Sequence, residues 1–540
     1  MSQRTIESYL NVTIGKITRN RRDNGRICFD HVFSSSTSGK DDVEDEEKYL
    51  RFPPNFIFGA ATAAYQIEGA WNVSGTSIEF KFLSSNLIFL IFFLARVENT
   101  GKGESTWDRL VHEHPDRIYN GDTGDVAANS YYQYKEDVAI LKKLGFKWYR
   151  FSVSWSRILP TGFPNKINRE GVQYYHNLID ELKANGIEPM LTLYHWDHPQ
   201  VLEDMGGWLN DEMVYWFGDY ASIIFREYGP KVKKFVTINE PKAICKNGYS
   251  LGIHAPGKRL SGLGEYMCIH NVLKSHATAY RIYDSEFRSK YHGEVGFLVD
   301  VMAYMPENLD SDAAADTSFE FNIGWTMHPI FSKEGDYPSV MKQLVANRSK
   351  AEGFMKSRLP AFNEYWINFI RNSADFLAVN HYTSRLIVSG TMGKIPSHEH
   401  DQGVREIIDS FWKSSASNWL KVVPEGFRYV LIQLAKYCGN LPIYITENGV
   451  SDHGALKDDE RIYYYREYLK QMLIAIHKDG VDIRGYFLWS LLDNFEWNAG
   501  YSERFGIVFV DYEDPNRQRI LKKSASWWQQ VIAAGKIETN

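Results

Sequence analysis

Residues 130–154, SYYQYKEDVAILKKLGFKWYRFSVS, contain one complete unit of the fold. Over 130–144 the apolar side chains recur at three- and four-residue spacing, the period of an amphipathic helix. Gly145 follows, where a left-handed helix cap is wanted. The next stretch, 147–154, is short and rich in aromatic and β-branched residues, so it reads as a strand. The same order returns with a helix at 169–185, Gly186 and the strand EPMLTLY at 188–194. It returns again with a helix at 211–228, Gly229 and the strand KKFVTIN at 233–239.

Outward from these, strands are expected at 56–63 (FIFGAATA), 293–300 (GEVGFLVD), 375–380 (DFLAVN), 442–446 (PIYIT) and 483–489 (IRGYFLW). Helical patterns fall at 265–287, 338–348, 425–437, 460–478 and 524–534, and Gly480 lies just past one of them. Eight strand–helix units predict an α/β protein, a (β/α)8 TIM barrel. A doubly wound sheet would want a Gly-rich phosphate turn after its first strand, and GAATAAYQIEG is not GxGxxG. The span from 51 to 537 far exceeds the roughly 250 residues of a minimal barrel. The surplus falls after strands, at 101–128, 241–264 and 383–420, as long βα loops that build a pocket at the C-terminal face.

Two stretches stand outside this single domain. Residues 1–50 are polar, end in KDDVEDEEK and show no apolar period, so a disordered or misassigned extension is expected. Residues 75–100 form an atypical insertion with a nine-residue apolar run, Leu87 to Ala95. That run is too short for a membrane span of about 20 residues. The first residues lack the apolar core of a signal peptide, which reads as cytoplasmic by default and as secreted if the N-terminus is misassigned. Asn11, Asn72 and Asn347 open glycosylation sequons relevant to the second case.

The 540 residues carry a formal net charge of -6, which gives no electrostatic reason to expect nucleic acid. Four cysteines, Cys28, Cys245, Cys268 and Cys438, lie far apart without a CxxC pair. Buried thiols, with one bridge at most, are expected rather than a disulfide framework or a zinc site. Nothing in the sequence sets an oligomeric state.

In a barrel, polar residues at the C-terminal strand ends face the pocket. The fourth strand ends in Asn239 and Glu240 and the seventh in Glu447, nearly opposite each other. A single strand-end Glu is often a salt-bridge partner or helix cap; two at matched ends are the minimum apparatus for cleaving a glycosidic bond. A general acid and a nucleophile arise when environment splits their pKa values. Other strand ends supply Gln66, Arg150, His195, Trp196, Asn380, Tyr382, Trp489, Glu496 and Trp497. The fixed charge of Arg150 suits an ionised Glu447. His195 and His198 share a metal-like spacing, but Pro199 breaks any helix there, so a sugar-binding or core role is expected for His195.

These residues lie in runs that resemble glycoside hydrolase family 1, the β-glucosidase family. The matching segments are FPPNFIFGAATAAYQIEGAWN (52–72), RFSVSWSRILPTG (150–162), LYHWDHPQ (193–200), TINEP (237–241), ITENG (445–449), GYFLWSLLDNFEW (485–497) and RFGIVFVDY (504–512), in family order. The resemblance implies a retaining β-glycosidase with Glu240 as acid/base and Glu447 as nucleophile, acting on a small-molecule or oligosaccharide β-glycoside. It implies that Gln66, His195, Trp196, Asn239, Asn380, Tyr382, Trp489, Glu496, Trp497 and Phe505 bind substrate, with Arg150 and Tyr382 supporting Glu447. The family needs no metal or organic cofactor and no membrane. Plant myrosinases of the family replace the acid/base Glu with Gln, so Glu240 points to O-glycosides. Some insect members cleave thioglucosides while keeping the Glu, and this chain resembles insect members, which makes a thioglucosidase the alternative. A catalytically impaired glycan-binding member would have lost one carboxylate, and both are here. Transglycosylation would use the same intermediate. Family members pass from GAWN within a few residues to GKGxSxWD, and deleting 75–100 restores that loop. The insertion is therefore read as a translated intron or gene-model error.

Overall fold

The computed structural model describes residues 18–21, 27–30, 50–72, 101–439 and 441–538. The insertion at 75–100 and most of 1–49 lie outside the described residues. Two units are distinguished, Met1–Tyr49 and Leu50–Asn540. In the first, Thr18–Arg21 and Ile27–Asp30 pair as antiparallel strands.

The second unit is α/β. Its main strands are β1 (Ile57–Ala61), β2 (Trp148–Ser152), β3 (Glu188–Tyr194), β4 (Lys234–Ile238), β5 (Glu294–Pro306), β6 (Leu377–Ser389), β7 (Ile443–Glu447) and β8 (Ile483–Trp489). Each pairs in parallel with the next, and β8 pairs in parallel with β1, so the pairings form a closed ring. Strands buried on both faces read as near-continuous apolar runs, and β3 is buried from Pro189 to Tyr194.

Between the strands run α1 (Ser130–Leu144), α2 (Arg169–Ala184), α3 (Met213–Tyr228), α4 (Gly264–Ile282), α5 (Ser339–Ala351), α6 (Pro424–Cys438) and α7 (Asp459–His477), with α8 (Lys523–Ala534) after β8. In α2 the residues Val172, Tyr175, Leu178, Ile179 and Leu182 form the buried stripe that the sequence period announces. Gly145 caps α1 in the left-handed conformation, at φ 88°. Gly229 does not: its φ is -55°, and a Cβ there would lie 2.4 Å from both the Phe225 carbonyl and the Tyr291 ring. Glycine is needed at that helix end for close packing, not for a left-handed turn.

Two further sequence expectations are corrected. β5 and β6 run past Asp300 and Asn380, pairing from Ala303–Ser384 to Pro306–Ile387 after a register shift, and Val404–Ile407 adds an antiparallel strand to Leu386–Ser389. Polar residues of HYTSR break the apolar pattern there, while the ladder rests on buried Ala303, Tyr304, Met305 and Ile387. The segment 283–287 continues α4 as a wider turn rather than as α-helix. The cysteines fall within the expectation of buried thiols with one bridge: Cys245 and Cys268, both fully buried, form a disulfide with Cα atoms 5.5 Å apart, while Cys438 is a buried free thiol. No spacing motif marked that bridge, because it joins a loop after β4 to the side of α4. Among the described residues, no helix is long and apolar enough to cross a membrane.

Register sets the site. Asp300 on β5 is level with Asn380 on β6, and Asn380 is level with Glu447 on β7. Three neighbouring strands thereby carry carboxylate, amide and carboxylate at one level, two of them within the strand and Glu447 at its end.

Candidate active site

β4 ends at Ile238, and the chain then places Asn239 and Glu240 before the short helix Pro241–Ala243. Glu240 has φ 47° and ψ 69°, a left-handed conformation that a residue with a long side chain rarely adopts. Trp196 (φ 75°) and Trp497 (φ 53°) share this feature. Such positions cost on the order of 1–3 kcal/mol each and persist where surrounding structure holds them.

The centre of the site is Arg150, almost fully buried on β2. Its Nη1 donates to Glu447 Oε1 (2.6 Å) and to the Thr446 carbonyl (3.2 Å). Its Nη2 donates to Asn239 Oδ1 (2.6 Å) and its Nε to Thr192 Oγ1 (3.0 Å). A guanidinium with every edge occupied cannot rotate, so Glu447 is held in one place. The other oxygen of Glu447 accepts from the Tyr382 hydroxyl at 2.7 Å.

Glu240 has a different environment. Its Oε1 accepts from Asn380 Nδ2 at 2.7 Å, and among the described residues no ion pair reaches it. Thr446 Oγ1 donates to Asn380 Oδ1 (2.7 Å), which fixes the way the amide faces. Asn380 Nδ2 also lies 3.2 Å from Asn239 Oδ1.

Charge follows from these contacts. Burial, the negative charge of Glu447 and that of Asp300 push Glu240 well above the usual carboxylate range, against the Asn380 bond and Arg150. Burial also raises Glu447, but Arg150 and the Tyr382 hydroxyl pull it back. Of the two, Glu447 gives up its proton first and Glu240 keeps one. Environment thus separates two like carboxyls, the arrangement that a nucleophile and a proton donor require.

The remaining predicted residues join the same network. Asn239 Nδ2 donates to His195 Nε2 at 3.1 Å. Burial and Arg150 hold His195 neutral, well below its usual range, so its proton sits on Nδ1, which has no hydrogen-bond partner among the described residues. The Trp196 indole N–H donates to the Asn239 carbonyl (3.0 Å). The Trp489 ring at the end of β8 lies 6.0 Å from His195 and near parallel to it. Trp497 lies 5.9 Å from His195 and 4.6 Å from Trp196. Phe505 meets the Tyr382 ring edge-on at 6.0 Å. Gln66 Nε2 donates to Asn494 Oδ1 and the Phe495 carbonyl (both 2.9 Å) and lies 3.5 Å from Glu496 Oε2. Its Oε1 is buried without a protein partner. Burial, Glu503 and Glu447 raise Glu496 well above its usual range.

His198 takes no part in a metal pair with His195. Its Nδ1 is 2.9 Å from the Tyr194 hydroxyl and its Nε2 3.2 Å from Glu203 Oε2. One trio with metal-like spacing, Glu352, His400 and Asp401, is found among the described residues. Arg358 already takes both Asp401 oxygens (2.7 Å each) and Glu352 (2.9 Å), so both carboxylates have a cationic partner without an ion.

Sequence reasoning missed Thr192, Thr446, Asn494, Asp300 and Lys242. Thr446 and Asn494 stand inside the quoted motifs next to recognised residues. Asp300 and Lys242 carry no motif and emerge only from register.

The family model for glycosyl hydrolase family 1 matches residues 48–85 and 96–537. The chain belongs to that family. Myrosinase 1 of Brevicoryne brassicae is 42% identical over 490 residues, covering 90% of this chain and 99% of that protein. The cytosolic beta-glucosidase of Homo sapiens is 39% identical over 501 residues, covering 91% of this chain and all of that protein. The solved structure of aphid myrosinase superposes with a TM-score of 0.83 at 42% identity, over 90% of this chain and all of that one. This family 1 member is a retaining β-glycosidase. The family match skips 86–95, which lies inside the 75–100 insertion.

Proposed function

We propose that Glu240 is the acid/base and Glu447 the nucleophile, at the C-terminal mouth of a (β/α)8 barrel, and that the substrate is a terminal β-D-glucoside. The observation that carries this reading is the unequal pairing of the two carboxyls: Glu447 on Arg150 and Tyr382, Glu240 on a neutral amide alone.

In the first step Glu447 attacks the anomeric carbon as Glu240 transfers its proton to the leaving oxygen. A glycosyl ester of Glu447 and a free alcohol result. In the second step Glu240, now a carboxylate, takes a proton from water, and the hydroxide displaces Glu447. Two inversions leave the β configuration unchanged. His195 Nδ1 and Gln66 Oε1, buried without partners among the described residues, are free to bond sugar hydroxyls. Glu496, Asn239 and Trp497 complete the glycone contacts, Trp489 is the apolar floor, and Trp196 and Phe505 wall the pocket. The domain spans 51–537, and residues 75–100 are not needed for it.

O-glucosides are the default because Glu240 can protonate a poor leaving group. The likeness to Myrosinase 1 favours one second reading, thioglucoside cleavage, which a glucosinolate in the same assay addresses. The test is Glu240→Gln. With kcat/KM as the readout, alkyl glucosides should lose about 10²–10⁴-fold, while activated aryl glucosides lose about tenfold or less. Equal losses on both would remove the acid/base assignment.

A further inference from the structure

Glu240 has a charged neighbour that the two-carboxylate scheme does not use. Asp300 lies on β5, beside the strand that ends in Glu240, and is level with Asn380, the amide that bonds Glu240. Asp300 Oδ2 is 3.0 Å from Lys242 Nζ, and Lys242 stands two residues beyond Glu240. Lys242 Nζ also reaches the Tyr304 hydroxyl at 3.4 Å and lies 5.8 Å from the centre of that ring. Lys242 and Tyr304 are both buried, so the pair is clamped between β5 and the turn that carries Glu240.

We propose that Asp300, clamped by Lys242, is a positioning residue whose negative charge sets the proton-donating state of Glu240 and with it the alkaline edge of activity. The proposal rests on the acid/base reading above and deepens it. Glu240 feels the negative charge of Glu447 on β7 and of Asp300 on β5, with Arg150 opposing. On its own side stand Lys242 and Lys246, the latter paired with Glu399 at 2.7 Å. Tyr382 directs its hydroxyl to Glu447.

The two negative neighbours behave differently during the reaction. Glu447 loses its charge when the glycosyl ester forms, which lets Glu240 release its proton and then act as base. Asp300 stays charged through both steps and keeps Glu240 basic enough to accept a proton from water. Burial pushes Asp300 itself up, and Lys242 pulls it back, with Lys246 adding to that. Without Lys242, Asp300 takes up a proton and its influence on Glu240 is lost.

The experiment is a set of kcat/KM–pH profiles on an alkyl β-glucoside for the wild type, Asp300→Asn, Asp300→Glu and Lys242→Met. Asp300→Asn should move the alkaline limb about 0.5–1 pH unit lower and leave the acid limb in place. Lys242→Met should follow it, and Asp300→Glu should hold the limb within about 0.2 unit of the wild type. A uniform fall in kcat/KM with an unmoved alkaline limb in Asp300→Asn and Lys242→Met would overturn the proposal. So would an equal shift in Asp300→Glu, since shape rather than charge would then decide. If Asp300→Asn does not fold, the other two variants carry the test. Glu240→Gln, profiled alongside, should lose the alkaline limb altogether; a limb that survives there strikes the acid/base reading itself, whatever Asp300 does.

Discussion

At the scale of single residues, the site works by giving two identical functional groups different partners. If Glu447 forms the ester, as proposed, Glu447→Ala should lower kcat/KM by about 10⁴-fold or more on alkyl and aryl glucosides alike. Arg150 is the most constrained residue in the site. Arg150→Met leaves the buried Glu447 carboxylate without its counter-charge, a loss of about 3–5 kcal/mol of stability by denaturant unfolding. In the same variant Glu447 holds its proton to higher pH, so the acid limb of kcat/KM should move up in pH. An acid limb that stayed in place would show that Arg150 does not set the charge of Glu447. Thirteen site residues were expected from strand-end position and motif; Arg150, His195, Asn239, Glu240, Asn380, Tyr382 and Glu447 share one hydrogen-bond network, and Gln66 and Glu496 meet in another. Asp300 escaped because its meaning lies in being level with Asn380, and register between distant strands leaves no trace in a single sequence.

At the scale of elements, boundaries were legible wherever pattern and punctuation agreed. β3 and β8 begin and end where the sequence indicates, and α1 ends at Gly145. Legibility failed where side chains serve two surroundings at once. Beyond Asn380, the polar residues of HYTSR turn to partners above the ring while their neighbours stay buried, so the strand carries no simple alternation. The positive φ values at Trp196, Glu240 and Trp497 were equally invisible, since only the packing around them imposes such conformations. The Cys245–Cys268 bridge closes a 23-residue separation just after Glu240. Replacing both cysteines with serine should cost about 3 kcal/mol in denaturant unfolding, from the loop entropy restored to the unfolded chain. A loss below about 0.5 kcal/mol would mean that the bridge adds nothing to the packing of that segment.

At the scale of the whole molecule, eight helix–strand repeats sufficed to read an α/β architecture, because each repeat carries its own period. Closure of the ring was an inference from counting, and the pairing of β8 with β1 is what completes it. Function was legible for a related reason: a ring of parallel strands brings distant segments to one mouth, so TINEP and ITENG, some 200 residues apart, need only end on strands. The insertion at 75–100 fits none of this. A chain lacking it should match or exceed the full chain in soluble yield and specific activity; loss of activity on deletion would show that the stretch belongs to the working enzyme. The claim on which the account turns is that Glu447 bonds the sugar. Incubation with a 2-deoxy-2-fluoro β-glucoside bearing a good leaving group should add one fluoroglucosyl mass, and peptide mapping should place it on Glu447. A label on any other residue, or full inactivation with no covalent adduct, would contradict it.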